Sequence, residues 1–237
     1  SIEPLLQSAI ESARKSGGAH ALVVQKGAFD SYALQSSVDS ANTFELTRER
    51  AIQHVVDTLD ERDIVVSTTG MASRELFEYR EAKGQGHQAD FLTVGGMGHA
   101  SQIALGIAAE KPNRRVVCID GDGAALMHLG SLAINGTSGL SNFKHIVINN
   151  GAHDSVGGQP TVAFQASLTQ AAKACGYAQV QSCQDATELP AALSALFATD
   201  APALLEIRVN KGNRKDLGRP TTTPKQNKEA FMDFLQD

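Results

Sequence analysis

The stretch GDGAALMHLGSLAINGTSGLSNFKHIVINN, residues 121–150, decides the fold. A short apolar run, 116–119, leads into it, and a second, 145–149, closes it, with a helical pattern over 124–134 between them. Strand, helix and strand in that order make a βαβ unit, whose right-handed crossover sets the two strands parallel. Open sheets of this kind bind ligands beyond the carboxyl ends of their strands, so Gly121-Asp122-Gly123 and Asn149-Asn150 border one crevice. Asp122 offers a carboxylate oxygen and Asn150 a carbonyl oxygen. That pair suits Mg²⁺, which takes few protein ligands and fills its octahedron with phosphate and water. Gly121 and Gly123 let the backbone approach a diphosphate closely, and a helix starting near Ala124 points its amides at the anion. A lone GDG is a common turn; GDG at one strand end and NN at the next is far more specific.

The same alternation runs outward in both directions. Strands are expected at 21–25, 63–67, 91–94, 178–181 and 204–209, and helices at 4–15, 47–59, 71–82, 99–110, 167–175 and 186–198. Val-, Ile- and Leu-rich strands separated by helices indicate an α/β protein: a doubly wound, mostly parallel sheet with helices on both faces. The α/β domain is expected over 43–210, followed by a basic segment and a helix over 211–237. Residues 1–42 break the pattern, because a helix and a strand are followed by a Ser-rich polar stretch, 31–42. They read as the tail of a preceding domain plus a linker, or else as an N-terminal extension packed on the sheet edge.

Bulk properties narrow the function classes. With 42% hydrophobic and 20% charged residues, the 237-residue chain has the composition of a soluble globular protein. A net charge of -5 and the absence of Trp argue against nucleic acid as partner. No apolar run approaches membrane-spanning length, so no membrane partner is expected and the localisation expected is cytoplasmic. Cys118, Cys175 and Cys183 show no metal spacing and read as reduced thiols. A dinucleotide-binding reading fails because no G-x-G-x-x-G follows the first strand.

Two further segments end strands on the same side. Gly95-Gly96-Met97-Gly98 follows strand 91–94 and presents one bulky flexible side chain, Met97, towards the crevice or into the core. Thr68-Thr69-Gly70-Met71 follows strand 63–67, and the amides of Gly70 and Met71 open a helix facing the far end of a diphosphate. Just inside that helix, Arg74 and Glu75 read equally as a surface ion pair or as site residues.

Residues 121–150 resemble the thiamine diphosphate motif shared by decarboxylases, acetohydroxyacid synthases and transketolases. The strings HDSVGGQPT (153–161), TTGMASRELFE (68–78), GGMGHAS (95–101), DLGRPTTTP (216–224) and ALVVQKG (21–27) resemble the phosphonopyruvate decarboxylases in particular. Sulfopyruvate decarboxylases are the next nearest. The resemblance implies thiamine diphosphate and Mg²⁺ as cofactors, with Asp122 and Asn150 as side-chain metal ligands and the carbonyl of Ala152 as a third. It also implies that Met97 props the cofactor in its bent shape and that the carbonyl of Gly95 accepts from the pyrimidine amine. The implied reaction converts 3-phosphonopyruvate, a small 2-oxo acid, to phosphonoacetaldehyde and CO₂. In such enzymes a glutamate on a pyrimidine-binding domain activates the cofactor, and neither Glu3 nor Glu11 stands in a matching context. That domain is expected in trans in a homo-oligomer, and the chain alone should bind cofactor weakly and turn over little.

His153 and His99 lie just past strand ends, where an acid or base would serve, or else are loop histidines. Ser155 and Gln159 could bind substrate oxygens or simply shape a turn. Lys211, Arg214, Lys215 and Arg219 form a basic segment that reads as a solvated tail or as a phosphonate reader. In the second reading Arg219, framed by Gly218 and Pro220, is the favoured residue. The rival readings are a sulfopyruvate decarboxylase subunit and a non-catalytic diphosphate-binding module.

Overall fold

The computed structural model describes residues 2–32 and 43–236. The chain divides into two units, Ser1–Gln35 and Ser36–Asp237. In the first, helix α1 (Glu3–Ser16) starts with Pro at its first turn and ends on Gly17 in the left-handed conformation. The strand expected at 21–25 does not form. Leu22, Val23 and Val24 are exposed and no described strand pairs with them, and an extended segment without a ladder leaves its amides and carbonyls to water. Most of the stretch expected as a linker, 31–42, lies outside the described residues.

The second unit contains the sheet. Six strands lie in the order β2 (Asp90–Leu92), β1 (Ile64–Ser67), β3 (Val116–Gly121), β4 (Phe143–Asn149), β8 (Ala203–Arg208) and β7 (Gln179–Cys183), all parallel. Every residue of β1 and β4 is buried, as expected where helices cover both faces. Side chains alternate between two cores. Val65, Val117, Ile119, Ile146 and Leu205 pack against α2 (Arg48–Asp57), α3 (Met71–Ala82) and α8 (Leu189–Ala198). Ile64, Val116, Cys118, Phe143 and Leu204 pack against α4 (Ala100–Glu110), α7 (Leu168–Ala174) and α9 (Pro224–Phe234). Polar caps set several helix starts: Thr47 and Ser167 accept from the amides of Arg50 and Gln170, and Thr223 forms a capping box with Gln226.

Two local expectations need correction. The single helix expected over 124–134 is two short ones, α5 (Asp122–Met127) and α6 (Ser131–Gly136), because His128 leaves helical geometry and Gly130 begins a new turn. The strand expected at 91–94 ends at Leu92, and Val94 is exposed beyond it.

The strand order places the site. The chain runs from β1 outward to β2 and then crosses back over β1 to β3, so its direction of winding reverses between β1 and β3, where a crevice opens. Register aligns Ser67 with Ile119 and Gly121 with Ile148. Residues 68–70, 121–123 and 149–150 therefore emerge side by side at one edge of the sheet.

Candidate functional site

A pocket at this edge is lined by Thr68, Thr69, Met71, Met97, Asp122 and His153 and by Gly121, Gly123, Ala124 and Ala152, with Arg48 and Asp154 also in its wall. Gly70 is the N-cap of α3 and Met71 its first residue, so the free amides of that helix start at the pocket. Gly95, Gly96 and Gly98 all have positive φ (69°, 54° and 86°), a turn that only glycines make without strain, and it turns half-buried Met97 into the wall. Gly123 is required for a different reason: a Cβ there would lie 2.4 Å from Cε1 of His153.

Asp122 is 2% exposed, accepts a hydrogen bond from the Thr161 hydroxyl and has no ion pair with the described residues. Burial pushes its carboxyl up to about 6, while Thr161 and nearby backbone amides favour the charged form. Asn150 is held at both ends of its amide: Oδ1 accepts from the Ala152 amide at 3.0 Å and Nδ2 donates to Asp154 at 2.7 Å. Ala152 and His153 form β5, which pairs antiparallel with β6 (Gln159–Pro160) in a hairpin. A buried carboxylate without a cationic partner, beside an amide oxygen and a strand carbonyl, is an all-oxygen donor set that fits Mg²⁺. At Gly121, by contrast with Gly123, a Cβ would meet nothing within 4 Å, and that open space fits a diphosphate beside the backbone.

Among the described residues, the one group of three Cys, His or acidic side chains close enough to share an ion is Cys118, Asp120 and His145. It is a different place from the oxygen set. All three lie in the core between β3 and β4, and burial pushes the Cys118 thiol well up, keeping it protonated. Thiol and imidazole do not suit Mg²⁺.

The remaining candidates separate. Ser155 lines the pocket, whereas Gln159 is exposed in β6 and is not part of its wall. His99 caps α4 in a neighbouring cavity, with its ring 4.3 Å from that of His128 and Nδ1 3.0 Å from the Gly96 carbonyl oxygen. Glu75 does not pair with Arg74; it is buried and bound by both arms of Arg48, at 2.8 and 2.9 Å. Arg48 also donates to Asp154 at 2.8 Å, and Asp154 in turn accepts from the Gly212 amide at 2.9 Å. One carboxylate thus ties α2, the Asn150 loop and the C-terminal segment together. Sequence reasoning missed Arg48, which belongs to no motif, and Asp154, which sits in the 153–161 string without a role assigned to it. In the basic segment, Arg214 pairs with Glu49, Glu78 and Asp216, Lys211 donates to the Gly158 carbonyl, and Arg219 lines the cavity next to the pocket.

Fold and site together define an α/β domain that binds a diphosphate and a hard divalent cation at the switch point of its sheet. Comparison with known proteins gives the family. Residues 68–207 match the model for the thiamine pyrophosphate enzyme C-terminal TPP-binding domain, and the chain belongs to that family. It is 40% identical to a phosphonopyruvate decarboxylase of Streptomyces viridochromogenes over 80% of this chain and 46% of the relative. It is 36% identical to a sulfopyruvate decarboxylase beta subunit of Methanocaldococcus jannaschii, over 53% of this chain and 64% of that one. A solved structure from Mycobacterium smegmatis, assigned to the thiamin diphosphate-dependent enzymes, superposes with a TM-score of 0.59 at 19% identity, covering 70% of this chain and 32% of that one. The chain thus spans about half the length of the phosphonopyruvate decarboxylases it matches. The cofactors implied by the sequence, thiamine diphosphate with Mg²⁺, agree with the family. No helix among the described residues is long and apolar enough to cross a membrane.

Proposed function

We propose that this chain is the diphosphate- and Mg²⁺-binding half of a decarboxylase that converts 3-phosphonopyruvate to phosphonoacetaldehyde and CO₂. The observation that carries this reading is the pocket at the switch point, where Asp122, Ala152, Met97 and the start of α3 meet in a chain 40% identical to a phosphonopyruvate decarboxylase. In this reading Asp122, Asn150 and the Ala152 carbonyl hold the metal. The amides of Gly70, Met71, Gly123 and Ala124 receive the diphosphate, and Met97 shapes the cofactor over the Gly95 carbonyl. Bound thiamine diphosphate supplies the nucleophilic carbon and the electron sink that let CO₂ leave. The chain's own groups orient the 2-oxo acid, exclude water and move protons. His153, packed on Gly123 at the pocket wall, is placed to carry a proton, with His99 a second candidate one cavity away. Ser155 and Gln159 are the candidates for substrate oxygens.

The activating glutamate belongs, in this account, to a pyrimidine-binding domain that meets this one across a subunit boundary in a homo-oligomer. The sulfopyruvate decarboxylase beta subunits support a second reading, because the chain covers 64% of one of them, and such a subunit works with a separate partner. One experiment tests the shared element. The purified chain should release no CO₂ from phosphonopyruvate on its own, and adding the pyrimidine-binding domain, joined or co-expressed, should restore turnover. CO₂ release from the homogeneous chain alone would contradict this. Faster turnover of sulfopyruvate than of phosphonopyruvate in the restored enzyme would favour the second reading.

A further inference from the structure

Beside the cofactor pocket lies a second cavity of about 470 Å³. It shares Thr69, Met97 and Ser155 with that pocket, so the two adjoin. Its wall carries two arginines, Arg74 and Arg219, and no Asp or Glu. Neither arginine has an ion pair or hydrogen bond with the described residues, whereas Arg48, Arg80 and Arg214 nearby are all neutralised by carboxylates. Thr222 also lines this wall, with its Oγ1 buried out of reach of solvent and without a hydrogen-bond partner.

The surrounding contacts hold the two arginines apart from any acid. Arg74 stands one turn before Glu78 on α3, and Glu78 is occupied: it pairs with Arg214 and accepts the Gly218 amide at 2.6 Å. The chain passes directly from that anchor to Arg219, which Pro220 restricts to extended backbone. Gly212, bound to Asp154, anchors the same segment at its other end. One arginine therefore comes from a helix and the other from a segment pinned onto that helix, and both line an acid-free cavity that adjoins the cofactor pocket.

We infer that Arg74 and Arg219 form a subsite for the phosphonate dianion of the substrate, with Arg74 as a specificity-determining residue alongside Arg219. Two guanidinium groups balance two charges, and their planar forks match the oxygens of a tetrahedral oxyanion. A sulfonate carries one charge and leaves one guanidinium uncompensated, so the subsite favours phosphonate over sulfonate. This inference rests on the decarboxylase reading above.

The test uses inert probes that lack the reacting 2-oxo group: 3-phosphonopropionate, 3-sulfopropionate and propionate, titrated calorimetrically into the chain restored with the pyrimidine-binding domain, with thiamine diphosphate and Mg²⁺ present. The wild-type chain should bind 3-phosphonopropionate most tightly. Arg74→Gln and Arg219→Gln should each weaken that probe about 10–150-fold, the loss expected for one charge-assisted contact. Propionate and thiamine diphosphate affinities should change little, with melting temperatures near wild type showing that both variants fold. Unchanged 3-phosphonopropionate affinity in Arg74→Gln, or equal losses for all three probes, would overturn the subsite. A parallel loss of thiamine diphosphate affinity would also overturn it, by assigning the arginines to the cofactor. Failure of the chain to bind thiamine diphosphate even with the pyrimidine-binding domain added would sink the decarboxylase reading itself, whereas normal cofactor binding without 3-phosphonopropionate binding would sink the subsite alone.

Discussion

Asp122→Asn should weaken Mg²⁺-dependent thiamine diphosphate binding by more than about 100-fold, beyond the loss typical of an outer-shell partner, and leave the metal-free protein folded. Asp122 is the one carboxylate in the proposed donor set, and an amide gives the ion a neutral oxygen in place of a charged one. The same substitution should change how metal-free stability depends on pH. Burial raises the Asp122 carboxyl from 3.8 to about 6, so between those values the folded protein holds a proton that the unfolded chain has released. Stability from this group is full below the unfolded value and is lost as pH rises through about 6, by about 3 kcal/mol. Asn does not titrate, so the variant's melting temperature should lack that decline. Calorimetry of cofactor binding and thermal melts across pH would check both statements. Unchanged cofactor affinity would remove Asp122 from the site.

Arg48→Met should destabilise the protein by about 3–5 kcal/mol, the cost expected when one partner of a buried ion pair is removed. Arg48 and Glu75 are 6% and 2% exposed, and without the guanidinium Glu75 would remain as an uncompensated buried acid. Burial already pushes the Glu75 carboxyl up despite the Arg48 contacts, whereas against desolvation by burial the contacts with Glu75 and Asp154 hold the Arg48 guanidinium above its usual value, so the carboxylate is the incompletely compensated member. Arg48→Met combined with Glu75→Leu should therefore recover most of the loss, because well-packed apolar groups can replace a buried pair at little cost. Asp154 would still accept from Asn150 and Gly212 in the double variant. Urea unfolding of both variants decides this: a single variant within about 1 kcal/mol of wild type, below the usual penalty, would mean that water or another group takes over the contacts.

The legible parts of the sequence were those in which local chemistry and tertiary need agree. The helix expected at 71–82 spans Met71–Ala82, because Gly70 and the apolar face over Ala72, Leu76 and Phe77 mark its start and its buried side. Strand β1, most of β3 and the Ile146–Ile148 part of β4 are runs of Val and Ile ended by polar or glycine turns, which is how strands buried on both faces read. The failures have two physical sources. Leu22–Val24 has strand-forming residues but no neighbour to pair with among the described residues, and local sequence does not reveal whether a partner strand exists. The Arg48–Glu75–Asp154 cluster and the meeting of Arg74 with Arg219 join positions far apart in the chain, and no periodicity announces such contacts. The β5–β6 hairpin, two residues on each strand, is too short to leave an alternating pattern. Arg214 illustrates the limit of composition: it counts among the basic residues of the segment, yet three carboxylates neutralise it.

The central claim, that Asp122, Asn150 and the Ala152 carbonyl hold the divalent ion of the cofactor, can be tested by diffraction. Crystals of the chain with thiamine diphosphate and Mn²⁺ in place of Mg²⁺, measured at a wavelength where manganese scatters anomalously, would locate the ion directly. The account predicts one peak within coordination distance, roughly 2.0–2.3 Å, of an Asp122 carboxylate oxygen, Asn150 Oδ1 and the Ala152 carbonyl oxygen, next to the diphosphate. A peak at Cys118, Asp120 and His145 instead, or cofactor bound with no metal at Asp122, would contradict it.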